Sequence, residues 1–117
     1  TRNGWFGMPD NFAVDGEGRL WVATDGNSGK ETGRADGLWG IETEGAARGT
    51  SRHFYRAPVG AELCGPCFTP DGETLFVGIQ HPGEADDDSG PPASRLGVLR
   101  GIPDAYEKLH GETRLTA

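Results

Sequence analysis

Nowhere does this sequence run apolar for the roughly eighteen residues that a membrane-spanning helix needs, so no such span is expected. Cysteine is scarce too. Cys64 and Cys67 sit three positions apart, too close to staple distant parts of a small secreted domain, and they supply only half of a four-cysteine zinc site. The three histidines, His53, His81 and His110, are scattered rather than set at zinc-finger spacing. Positive charge is in deficit: eleven Lys and Arg face eighteen Asp and Glu, for a net charge of -7. Nucleic acid and anionic membrane both require a cationic face, so neither is expected as a partner, whereas cations are. The opening residues TRNGWFG show neither an initiator Met nor a signal-peptide pattern, and the chain reads as part of a longer protein.

What the sequence does have is turn formers. Twenty Gly and eight Pro among 117 residues, with 34% hydrophobic content, favour short elements joined by turns over long helices, and point to an all-β domain. Two segments repeat: FAVDGEGRLWVATDG from Phe12 and FTPDGETLFVGIQHP from Phe68. Each reads Phe, two residues, Asp-Gly, a short turn, then Leu-aromatic-Val. The offset is 56 residues between Asp15 and Asp71 and 55 between Val22 and Val77, near the period of propeller blades.

Each copy predicts a hairpin, because Asp-Gly between β-branched and aromatic runs is the strongest short-range turn signal. Two further strands are expected at 37–45 and 51–60, so residues 10–60 read as one antiparallel four-stranded blade. Residues 61–101 read as a second, incomplete blade, with strands at 66–70, 74–80 and 93–101. For 102–117 the expectation is a short surface helix or a disordered tail, with Tyr106 and Leu109 at helical spacing. Two blades cannot close a ring, so remaining blades of a parent chain are expected as partners.

Strand alternation places the loops before the first strand and after the second strand of each blade on one face. There, Asp10, Asn11 and Glu62 point toward the expected channel, and their oxygens suit a hard cation such as calcium, which takes six or more oxygen ligands. The plainer reading of Asp10 and Asn11 is an Asx-turn before a strand. The run Asp86, Asp87, Asp88 reads as a solvated acidic loop, and His81 as a structural or exposed residue able to reach the same face. GNSGKET lacks the spacing of a phosphate loop. Trp21, Trp39, Phe54 and Phe76 read as inter-blade packing residues. The CGPC tetrapeptide would be a thiol-exchange site only at the start of a helix, and Pro70 with the following Asp-Gly turn precludes one. Cys64 and Cys67 are therefore expected as small buried fillers, although Cys67 aligns with Asn11 in the repeat and could lie near the channel, with Gly65-Pro66 bending the chain into an inner strand.

The strings PDNFAVDGEGRLWVATDGN, GLWGIETEG and FYRAPVGAELCGPCFTPDGETLFVGIQHPGE, spanning about residues 8–84, resemble the C-terminal part of PhoX-type alkaline phosphatases. The resemblance implies about one and a half to two blades of a six-bladed β-propeller. It also implies a periplasmic or extracellular protein exported by the twin-arginine route, Ca2+ and Fe3+ as cofactors, and a phosphate ester as substrate. Carried over residue by residue, it implies Asp10 and Asn11 of the PDN motif and Glu62 before GPCF as metal ligands. A chain holding so few of the ligands is expected to be inactive by itself. The alternative is a noncatalytic propeller module that binds a protein or glycan through its long loops, with a purely structural cation.

Overall fold

Both Asp-Gly repeats fold as expected in this computed structural model, which describes residues 4–82, 95–106 and 108. In the first turn the Asp15 carboxylate accepts from the backbone N–H of Glu17 and Arg19 at 2.9 and 3.0 Å, and from Trp21 Nε1 at 2.9 Å. In the second, Asp71 accepts from Thr69 Oγ1 at 2.6 Å and from the Glu73 N–H at 3.0 Å. The aspartates at the repeat position thus replace ladder bonds that the reversing backbone gives up. Gly18 and Gly72 take φ of 83° and 73°, where a Cβ would clash.

Seven strands result: β1 Pro9–Val14, β2 Leu20–Thr24, β3 Gly37–Ile41, β4 Ser51–Arg56, β5 Glu62–Phe68, β6 Thr74–Gln80 and β7 Arg95–Arg100. They form two antiparallel sheets, β1-β2-β3-β4 and β5-β6-β7. Several boundaries differ from the sequence reading: β3 ends at Ile41 rather than at 45 and β4 at Arg56 rather than at 60, and the difference that matters for the site lies in β5. β5 begins at Glu62, not at Pro66, and passes through CGPC with a bulge: Cys64 faces Gly78 and Cys67 faces Phe76. The extra residue and the missing N–H of Pro66 are absorbed where Gly65 adopts a φ of 56°, so pairing survives on both sides.

β5 lies against β1 and β2, and the core fills the space between the sheets. Trp21, with no exposed surface, meets Phe54 edge-on at 4.9 Å and Phe68 of the second sheet at 5.4 Å. Leu63, Leu75, Val77 and Ile79 face it from β5 and β6. On the opposite side of the first sheet, Trp39 stacks on His53 at 4.4 Å and is covered by Phe6 at 5.3 Å. The N-terminal segment is strapped there by Arg34 Nη1 to the Trp5 carbonyl (2.8 Å), Asn27 Nδ2 to the Gly7 carbonyl (3.1 Å), and Ser51 Oγ to the Gly4 carbonyl. Beyond the strap, Phe12 and Val14 remain 70% and 58% exposed on β1. Phe76 and Val98, partners across β6 and β7, form a second exposed apolar strip.

The expected surface helix needs correction. Residues 102–106 are helical, but Ile102 and Tyr106 are buried in the core, with Tyr106 5.3 Å from Trp21. Arg19 lies over its ring at 4.1 Å, and its hydroxyl donates to Glu42 Oε1 at 2.9 Å. The helical spacing of Tyr106 and Leu109 gives no sign of this burial, because no sequence signal shows that Gly40 leaves the space: a Cβ there would lie 2.5 Å from Tyr106 Cε2. Leu109, His110 and the Asp86–Asp88 run lie outside the described residues.

Candidate functional site

Antiparallel pairing brings the start of β1, the end of β2, the start of β3, the end of β4, the start of β5 and the end of β6 to one end of the molecule. The pairs Pro9–Thr24, Gly37–Arg56 and Glu62–Gln80 mark that end. Three carboxylates meet there. Oxygens of Asp10, Asp25 and Glu62 all lie within 4.8 Å of one another, Asp10 and Asp25 exposed and Glu62 half-buried.

Each is held by local structure. Asp25 follows β2 directly, and its N–H donates to the Met8 carbonyl at 3.1 Å, extending the hairpin by one closure. The turn after it is pinned by buried Asp36, which accepts from Thr24 Oγ1 (2.7 Å), the Gly26 N–H (3.1 Å) and the Asn27 N–H (3.0 Å). Glu62 accepts from Gln80 Nε2 at 3.2 Å and lies 3.4 Å from His81 Nε2. The other ring nitrogen of His81 is 3.3 Å from the Gly60 carbonyl, so the ring bridges the two groups. Asn11 Nδ2 donates to Asp10 Oδ2, and Asn11 Oδ1 accepts the Gly65 N–H at 3.0 Å, tying β1 to the bulge of β5.

Met8 and His81 are the non-glycine residues held at positive φ among those described, at 52° and 34°, and they flank this cluster. Such backbone costs of order 1–3 kcal/mol apiece and persists where surrounding structure imposes it. Charge is unbalanced as well. Burial, then the charges of Asp36 and Asp10, hold the Asp25 carboxyl above the usual carboxylate range, with His81 opposing them. A set of hard oxygen donors with mutual repulsion and one neighbouring imidazole fits a hard cation, which would supply the missing positive charge.

Of the sequence-predicted residues, Asp10 and Glu62 are brought together, while the Asn11 amide is engaged by Asp10 and the Gly65 backbone. Asp25 was missed as a candidate ligand. Its signal was available in the pairing: a hairpin whose first strand starts at Pro9-Asp10 returns its partner strand to Thr24-Asp25. His81 does reach the face, through Glu62.

The two cysteines are free. Cys64 is half-buried with its Sγ 3.1 Å from Gln80 Nε2, but Cys67 is exposed, contrary to the expectation of buried fillers. The bulge is the reason, since it turns both residues onto the side of the second sheet that faces away from the core, opposite Gly78 and Phe76. CGPC lies within a strand, where no helix terminus activates a thiol.

Comparison with known proteins identifies the family. The family model of alkaline phosphatase PhoX matches residues 1–83. Among solved structures, that of Pseudomonas fluorescens PhoX in complex with vanadate, a transition state analogue, is similar with a TM-score of 0.63 and 34% sequence identity. The match covers 80% of this chain and 18% of the Pseudomonas chain, so the sequence spans under a fifth of that protein. No curated protein matches.

Proposed function

The chain belongs to the alkaline phosphatase PhoX family, and on that premise we propose that it forms the C-terminal portion of a secreted, metal-dependent phosphatase acting on phosphate monoesters. The observation that carries the reading is the convergence of Asp10, Asp25 and Glu62 within 4.8 Å from three separate strand ends. In this proposal Asp10 and Glu62 are metal ligands, joined by Asp25. Asn11, expected as a ligand from the motif, orients the Asp10 carboxylate and locks β1 to β5.

Calcium and iron are the cations proposed, and when bound they supply positive charge that stabilises a phosphoryl group as charge grows on its oxygens. The residues of this chain contribute placement. Gln80 and His81 fix the Glu62 carboxylate, and the Met8 carbonyl and the Asp36 carboxylate fix the turn that carries Asp25.

The two sheets are proposed as adjacent blades of a six-bladed propeller, residues 10–60 and 61–101. The apolar strips at Phe12 and Val14 and at Phe76 and Val98 support this reading, because they lie on opposite outer faces where neighbouring blades would pack. Further blades would supply the remaining ligands, so the chain alone is proposed to be inactive. A periplasmic or extracellular location rests on the family.

Hydrolysis of p-nitrophenyl phosphate by the full-length protein, with and without chelator, tests the reading. Activity lost on chelation, restored by calcium, and reduced at least about a hundredfold by Asp10→Ala is expected. Activity indifferent to both would favour the noncatalytic binding module with a structural cation.

A further inference from the structure

At the same end of the first sheet lies a groove of about 1080 Å3, lined by the loop after β2 and the connection from β4 to β5. Lys30, Arg34 and Arg56 line it, against a single carboxylate, Glu31. Among the described residues, none of the three cations pairs with a carboxylate. That concentration of uncompensated positive charge stands out in a chain of net charge -7.

The groove is built as well as charged. The Arg34 guanidinium donates one N–H to the Trp5 carbonyl at 2.8 Å and lies 5.2 Å from the Trp5 ring, which holds its position and leaves other donors available. Ser28 Oγ accepts from the Lys30 and Glu31 N–H groups at 3.1 and 3.3 Å, setting the turn that presents Lys30.

Its lining residues neighbour the carboxylate cluster along the chain. Asn27 lies two residues beyond Asp25, and Gly60 two residues before Glu62. His81 joins the two regions, one ring nitrogen at the Gly60 carbonyl and the other at Glu62. A ligand phosphoryl placed at the cluster would have this groove as a neighbour across the His81 ring.

We propose that the groove binds a second anionic group of the substrate, so that the enzyme prefers esters carrying two phosphates over those carrying one. The inference rests on the phosphatase reading above and adds the substrate class. Lys30, Arg34 and Arg56 are its specificity-determining residues, with guanidinium forks and an ammonium suited to phosphate oxygens. The field acts on an exposed group, so the preference weakens as salt rises.

The test compares glucose 1,6-bisphosphate with glucose 6-phosphate as substrates of the full-length protein, wild type and Lys30→Gln/Arg56→Gln. Both substituted side chains are exposed, and circular dichroism checks that the fold is kept. The expected result is a fall in kcat/KM for the bisphosphate of roughly 5- to 30-fold, carried by KM, with less than about a twofold change for the monophosphate. Equal effects on both substrates, or no effect on either while both are hydrolysed, would overturn the groove assignment. Absence of hydrolysis of either substrate by wild-type protein would instead overturn the phosphatase reading, and this inference with it.

Discussion

Asp25 shows how much a single carboxyl can report. Its carboxyl is held above the ordinary range by burial and by the charges of Asp36 and Asp10. A raised carboxyl costs nothing below its unfolded value of 3.8 and opposes folding increasingly as pH climbs through its folded value. In the absence of divalent cations Asp25→Asn is therefore expected to raise the melting temperature near neutral pH. The gain should vanish at about pH 3.5 and reverse in calcium, where the wild type gains a ligand. His53 works with the opposite sign. Burial, outweighing a contact with the Tyr55 backbone that acts in the other direction, and then the charges of Arg56 and Arg34, hold it below its ordinary 6.5. Its contribution is fully present above that value and is lost as pH falls toward the folded one. His53→Phe should flatten the part of the stability profile just below pH 6.5, measured by urea denaturation at each pH. Asp15 is structural by comparison. With Arg19, Trp21 and two backbone N–H groups on one carboxylate, Asp15→Ala should cost about 2–4 kcal/mol by urea denaturation, leaving those donors unpaired.

Strands and turns were the most legible elements, because both hairpins advertise themselves locally through Asp-Gly and β-branched flanks. Where long-range packing decides, legibility stops. The β5 bulge is invisible in ELCGPCF because the letters permit either a bend or a continued strand, and the choice is made by pairing with β6 on both sides of Gly65. The docking of residues 102–106 was equally hidden, since the Tyr106 pocket is made by Gly40, Arg19, Glu42 and Trp21 from the other sheet. Gly40→Ala should destabilise the protein by about 1–3 kcal/mol through collision with that ring, whereas Tyr106→Phe should cost about 1 kcal/mol, the net worth of the Glu42 bond. Thermal unfolding of the two variants checks the order. At the site, Asp10 and Glu62 were legible through motif and strand polarity, and Asp25 was not, because its role depends on register rather than on neighbouring letters.

At the scale of the whole molecule, charge and apolar surface are sorted. One end gathers the Asp10, Asp25 and Glu62 cluster beside the Lys30, Arg34 and Arg56 groove, and the two outer faces carry apolar strips. The two-sheet unit thus has a polar end suited to cations and anions together, and sides suited to packing. The measurement that bears most directly on this account is the metal content of the full-length protein, determined by elemental analysis alongside phosphatase activity, for wild type and Asp25→Asn. The account predicts that the variant loses bound metal and activity together, since Asp25 shares its site with Asp10 and Glu62. Wild-type metal content together with wild-type activity in Asp25→Asn would contradict it.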